Sequence, residues 1–226
     1  MHLLSPISLF TLIDFLGVFV AAIGGALDAA RHEQYEYDFI GVIGLALVSA
    51  LGGGITRDLI IQHGPPLAFT DVRYLLDAFA GALLTLAFLR IAHRSEFAHG
   101  TQNLLLFIDA AAVGLFAVAG ATRAINAGLT VLPALVLGVI TAVGGGALRD
   151  VLSGTTPKIF LRGQPYAIAA TIAAVVFLVA NAAGATRPAA TTIGSLSGFA
   201  VRLIAMHYGW RTKAVRVSSE TEAGRS

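Results

Sequence analysis

Long apolar runs dominate this chain, separated by short stretches that carry charge, proline or glycine. Seven runs approach the roughly 20 residues a helix needs to cross a bilayer. They predict helices near residues 7–28, 38–62, 72–92, 104–124, 129–152, 165–183 and 187–207. The seventh is diluted by Thr191, Thr192, Ser195 and Ser197. Met1 to Phe10 has no positively charged leader segment, and Asp14 interrupts the apolar run that follows. This start therefore reads as a first retained span rather than a cleaved signal peptide. Residues 210–226 are polar and read as a solvated tail behind a single transmembrane domain over 1–209.

The pattern repeats. Gly52-Gly53-Gly54-Ile55-Thr56-Arg57-Asp58 in the second run returns 92 residues later as Gly144-Gly145-Gly146-Ala147-Leu148-Arg149-Asp150 in the fifth. Asp14 corresponds to Asp109, Pro65 to Pro157 and Tyr74 to Tyr166. Each unit holds three spans, about 7–92 and about 104–183, and a seventh helix follows at about 187–207. An odd number of spans makes the second unit enter the membrane from the opposite side. The expected fold is an all-α integral membrane protein with seven transmembrane helices, built as two inverted three-helix repeats plus one.

Composition agrees with a membrane location. Hydrophobic residues make up 56% of the chain and charged residues 12%, against about 25% charged in soluble domains, and the mean hydropathy is +0.79. The net charge of +2 comes without a dense Lys/Arg patch interleaved with aromatics, which argues against nucleic-acid binding. There is no cysteine, so disulfides and thiolate metal sites are excluded. Loops on one side hold Arg31, Arg90, Arg94, Lys158, Arg162, Arg211, Lys213, Arg216 and Arg225, and those on the other hold Arg73, Arg123 and Arg187. Nine against three places the C-terminus in the cytoplasm and the N-terminus outside. Tyr208 and Trp210, and Tyr74 and Tyr166 at the starts of spans 3 and 6, fit interfacial aromatic belts.

The doubled heptapeptide carries the chemistry. Three consecutive glycines weaken a helix, and freed backbone groups cannot face lipid. Two readings are open: an unwound stretch whose carbonyls line a water path, or a close helix contact that needs glycine. Adjacent helical residues do not face each other, so Arg57 is expected to find a partner other than Asp58. Asp14 lies ~10 Å into span 1 and Arg57 ~8 Å into span 2 from the same side. This predicts an outer Asp14/Arg57 layer and, by inversion, an inner Asp109/Arg149 layer, acting as gates, as collars on a pore, or as structural braces. Asp58 and Asp150 either pair across the repeats or face the path, and Thr56 and Thr141 are candidate hydroxyl ligands for a cation.

Asp77 has Ala169 as its counterpart and breaks the symmetry. Arg202 is expected to snorkel to the cytoplasmic surface, and Gly194-Ser-Leu-Ser-Gly198 suits a tight helix contact. The six histidines show no metal-ligand spacing, so no metal and no cofactor is assigned. No nucleophile–base arrangement recommends an enzyme.

Two three-span units with a Gly-Gly-Gly-x-x-Arg-Asp segment in each middle helix, plus a seventh span, resemble the prokaryotic trimeric intracellular cation (TRIC) channels over about residues 10–207. Related domains are also labelled glycine transporters. The resemblance implies a homotrimer in a prokaryotic inner membrane, in contact with lipid. Each protomer would hold one pore for monovalent cations, chiefly potassium, bounded by kinked spans 2 and 5. Its pore elements would be Gly52, Gly53, Gly54, Arg57 and Asp58, with Gly144, Gly145, Gly146, Arg149 and Asp150; Asp14 and Asp109 are the charged-layer partners. The alternative is a secondary transporter for a small zwitterion such as glycine, to which the Arg-Asp segments offer both charges.

Overall fold

The computed structural model describes residues 9–32, 34–91, 97–162 and 165–212. The loop and tail cations Arg94, Lys213, Arg216 and Arg225 lie outside the described residues. The described chain is helical: α1 (Leu9–Ala29), α2 (Phe39–Ile61), α3 (Leu67–Thr70), α4 (Val72–Ile91), α5 (Phe97–Asn126), α6 (Val131–Leu152), a 3-10 turn (Lys158–Phe160), α7 (Tyr166–Ala182) and α8 (Arg187–His207). Six of these helices have segments long and apolar enough to cross a membrane, in α1, α2, α4, α5, α6 and α8; α7 is apolar but shorter. The short α3 and the 3-10 turn were not legible as elements, because each is a single turn that follows proline. Helix α5 begins at Phe97, ahead of its expected apolar start, because hydropathy marks the part suited to lipid and not the whole hydrogen-bonded length.

Local chemistry sets the helix ends. Asp38 caps α2 by accepting the Gly41 N–H at 2.7 Å, and the helix stops at Gln62, in a left-handed conformation. Thr186 accepts from Ala189 N at the start of α8. Helices α5 and α7 end before Gly128 (φ 83°) and Gly184 (φ 84°), whose positive φ lets the next residue, Leu129 or Ala185, bond back to the last turn.

Helices α1, α2 and α4 pack as one group and α5, α6 and α7 as another; α2 against α6 and α1 against α5 join them, and α8 lies on α5 and α7. The interior is built from small residues. Ala22, Ala46, Ala78, Ala117 and Ala173 are fully buried, whereas Leu12, Leu76, Leu84, Phe88, Val179 and Leu196 face outward. Small inside and large outside is the arrangement expected where lipid, not water, is the surrounding solvent. Gly194 and Gly198 act as their spacing suggests: a β-carbon at Gly198 would come within 2.7 Å of Ala173 Cβ and 3.1 Å of Gly114 Cα.

The glycine triplets do not unwind. Helix runs unbroken through both, and α2 crosses α6 where they meet. A β-carbon at Gly53 would fall on the Thr141 carbonyl oxygen, and one at Gly145 on the Ser49 carbonyl oxygen. The expected break is replaced by the close-contact reading: the crossing recovers in packing what three glycines lose in chain entropy. The third glycine of each triplet is different. The nearest neighbours of a β-carbon at Gly54 or Gly146 are Arg57 Nη2 at 3.7 Å and Arg149 Nη2 at 3.9 Å.

These contacts set a stability series. Gly53→Ala and Gly145→Ala are expected to lose ~1–3 kcal/mol by overpacking. Gly54→Ala and Gly146→Ala should be neutral or gain up to ~1 kcal/mol from helix propensity. Thermal unfolding in detergent micelles measures this, and equal losses at all four positions would contradict the crossing as the reason for the triplets.

Candidate functional site

Two cavities lie along the joint between the helix groups. The larger, about 390 Å³, is lined by Asp28, Asp109, Arg149, Asp150, Lys158 and Arg202 among others, and reaches the surface past the exposed Lys158 and Arg162. The smaller, about 20 Å³, is lined by Asp14, Gly54, Arg57, Asp58, Tyr74 and Thr141 among others, none of its lining residues being exposed. That volume suits about one water molecule. Gly54 and Gly146 each line one cavity, while Gly52, Gly53, Gly144 and Gly145 line neither and serve the helix crossing.

The charged groups come together differently from expectation. Arg57 Nε donates to Asp58 Oδ1 at 2.9 Å with both residues buried, and Arg149 Nη2 donates to Asp150 Oδ1 at 2.8 Å. Neighbouring positions on a helix diverge, but the guanidinium sits on a stem long enough to fold back across that angle. Each aspartate spends its other oxygen on the chain that follows: Asp58 Oδ2 accepts Leu67 N, the first N–H of α3, at 2.9 Å. Asp150 Oδ2 accepts Lys158 N, the first N–H of the 3-10 turn, also at 2.9 Å. Burying a charge is costly unless its hydrogen-bonding capacity is filled, as both oxygens of these aspartates are.

The Asp14/Arg57 and Asp109/Arg149 pairs are therefore corrected. Asp14 shares the smaller cavity with Arg57, but its Oδ2 accepts the Tyr74 hydroxyl at 2.6 Å. Asp109 shares the larger cavity with Arg149, but Arg202 Nη2 donates to its Oδ2 at 3.0 Å. Arg202 is thus buried (5% exposed) rather than snorkelled, and its guanidinium carbon stands 4.9 Å from the centre of the Tyr166 ring. In a membrane interior, a carboxylate on a neighbouring helix is nearer than the headgroups. Tyr74 is buried with its hydroxyl on Asp14 and Tyr166 is half-buried beside Arg202, whereas Tyr208 and Trp210 are exposed. Thr56 and Thr141 donate their hydroxyls to Gly52 O at 2.8 Å and Leu137 O at 2.6 Å; only Thr141 lines a cavity. Asp77 lines neither.

Two residues were missed. Asp28 Oδ2 lies 3.3 Å from Arg149 Nε, and Asp28 Oδ1 accepts from Lys158 Nζ at 2.9 Å. Arg123 Nε lies 3.9 Å from Asp58 Oδ1. Asp28 and Arg123 are 95 positions apart, the offset that relates Asp14 to Asp109. Extending that offset beyond identical residues would have found them. At equivalent places, an acid completes one Arg-Asp segment and a base the other.

The apolar spans, the exterior of large hydrophobic side chains and the buried ion pairs define an integral, multi-pass helical membrane protein. A family model described as "Glycine transporter" matches residues 11–90 and 106–182. A membrane protein of Deinococcus radiodurans, UPF0126, is 39% identical over 163 residues, 72% of each chain. The Escherichia coli K12 inner membrane protein YadS, also UPF0126, is 36% identical over 168 residues, 74% of this chain and 77% of that one. Among solved structures, one from work on conductance through TRIC cation channels superposes with a TM-score of 0.80 at 32% identity, over 94% of this chain and all of that one. The TRIC trimeric intracellular cation channel orthologue from Rhodobacter sphaeroides gives 0.78 at 33% identity, over 89% of this chain and 98% of that one. The chain belongs to this glycine-transporter family and, within it, to the prokaryotic TRIC proteins.

Removal of Asp58 should strand a buried guanidinium. Asp58→Ala is expected to lose ~3–5 kcal/mol of stability, partly recovered in Arg57→Ala/Asp58→Ala. Lys158→Ala, at a side chain 66% exposed, should lose less than ~1 kcal/mol. Thermal unfolding of the four proteins decides, and equal losses for Asp58→Ala and Lys158→Ala would contradict the assigned geometry.

Proposed function

We propose that the protein is a potassium-preferring monovalent cation channel with a pore inside each protomer of a homotrimer. The observation that carries this reading is the match, over nearly the whole chain and at 32% identity, to a TRIC cation channel structure. The pathway runs along the joint between the helix groups, between α2 and α6 (spans 2 and 5), where the two cavities with charged side chains lie. The two stretches matched by the family model support a division into inverted three-helix repeats, with α7 completing the second and α8 the seventh span. The cation count supports a cytoplasmic C-terminus in a lipid inner membrane, with the N-terminus outside.

In this reading a cation enters the larger cavity at Lys158 and Arg162. Asp28, Asp109 and Asp150 offset most of the field of Arg149, Lys158, Arg162 and Arg202, which weakens the preference for anions that those four bases alone would impose. On the far side, Asp14 and Asp58 offset Arg57 in the same way. The Thr141 oxygen and exposed polar groups replace part of the ion's water shell. Gly54 and Gly146 give Arg57 and Arg149 room beside the path, so those arginines set the field an ion meets within each cavity.

The family's description as a glycine transporter favours a second reading, in which an Arg-Asp segment binds the carboxylate and ammonium of a zwitterion. Single-channel recording of purified protein in a planar bilayer under a potassium chloride gradient separates the two. Discrete steps reversing near the potassium equilibrium potential are expected, with conductance or open probability altered in Arg57→Ala and Arg149→Ala. Silence from folded protein, together with saturable uptake and counterflow of labelled glycine, would overturn the channel in favour of the transporter.

A further inference from the structure

Phe116 is, among the described residues, the one side chain that lines both cavities. It projects from α5, is 8% exposed and belongs to the main hydrophobic core. Its ring lies against Gly17 of α1, where a β-carbon would stand 3.0 Å from Cε1 and 3.3 Å from Cδ1. Elsewhere the boundary between the cavities falls between adjacent residues: Ser49 lines the larger and Ala50 the smaller on α2, and Ala142 the larger and Thr141 the smaller on α6. Phe116 is thus the side chain at which the two cavities come together.

The repeat shows why the cavities differ in size. Phe116 stands 95 positions after Ala21, the offset that relates Asp14 to Asp109. Ala21 lines the larger cavity and leaves it open, whereas Phe116 fills the corresponding space of the other half. Gly17, on the same offset from Ala112, supplies the room the ring occupies.

We propose that Phe116 is the barrier between the two cavities, each of which holds charged side chains, and that its displacement, rather than the parting of an ion pair, joins them into one path. A ring at a constriction excludes an ion because the ring cannot replace the ion's water shell, and the hydroxyls of Ser49 and Thr141 at the boundary could replace only part of it. The permeation half of this statement rests on the cation-channel reading; the barrier itself does not.

The absence of native cysteine makes the barrier directly measurable. Ala50→Cys places a thiol on the smaller cavity and Ala112→Cys one on the larger. Silver ion, a monovalent cation that binds thiols, is added to the folded protein, and thiols left unreacted are alkylated after denaturation. With Phe116 present, Ala112→Cys should react at least ten-fold faster than Ala50→Cys. Phe116→Ala should bring Ala50→Cys to the faster rate, and Phe116→Val should act in the same direction if the alanine variant does not elute as folded protein. In bilayers, the same substitutions should raise conductance or open probability. Equal rates at the two thiols with Phe116 in place, or an Ala50→Cys rate that neither Phe116 variant changes, would overturn the barrier. Altered thiol rates without current in any variant would uphold the barrier and overturn the channel reading alone.

Discussion

Helices α2 and α6 approach so closely that Gly53 meets the Thr141 carbonyl and Gly145 the Ser49 carbonyl, and most of the site geometry depends on that approach. With no side chain between the backbones, the two Arg-Asp segments are anchored one turn beyond the crossing, on opposite halves of the molecule. A methyl group at either glycine would push the helices apart and carry the charged segments with them. The crossing also explains why the third glycine of each triplet is a different kind of residue: it has left the contact and stands where a cavity begins.

Charge in the interior is handled by division of labour within single carboxylates. Asp58 and Asp150 each give one oxygen to the neighbouring arginine and the other to a backbone N–H eight or nine residues on. The arginine is thereby tied to the turn that leads into the next helix. The two halves differ in what completes the cluster: Asp28 from α1 approaches Arg149, and Arg123 from α5 approaches Asp58. Tyr74 and Tyr166 add a second correspondence, each placed beside a cluster by the helix that follows the turn. Tyr74 bonds Asp14 directly, while Tyr166 lies under Arg202, the partner of Asp109.

The helices were legible in the sequence because apolar length is a direct requirement of the hydrocarbon layer, and the doubled heptapeptide because identity at fixed spacing needs no structure to see. The third-glycine positions Gly54 and Gly146, with Arg57, Asp58, Arg149 and Asp150, could be found on that basis. Their partners could not. Depth along a helix places Asp14 near Arg57 but says nothing about rotation around the axis, which is what turns Asp14 toward Tyr74. The rule that helical neighbours do not face each other holds for short side chains and fails for arginine, whose reach exceeds the spacing of the positions. Asp28 and Arg123 escaped because a repeat that inverts a charge looks like no repeat at all. Whether three glycines unwind or pack depends on what the other helix presents, and the composition of one helix alone does not contain that.

The larger cavity, open to the surface at Lys158 and Arg162, has an electrical consequence. A polar recess open at one end carries the potential of its bathing solution inward, so a voltage across the bilayer falls over less than the full membrane thickness. The work of moving one charge through the whole drop stays at ~2.3 kcal/mol per 100 mV, but it is done over a shorter distance. With Phe116 as the proposed barrier, the field is steepest at that ring, where both cavities meet. Arg57 and Asp58 stand at that smaller cavity, and Arg123 approaches it from the end of α5. A shift of a few ångströms there would move more charge through the voltage drop than the same shift of Lys158 at the recess mouth. The difference between Ala21 and Phe116 thus leaves the molecule with unlike ends: a wide recess on one side of the ring and a space for about one water on the other.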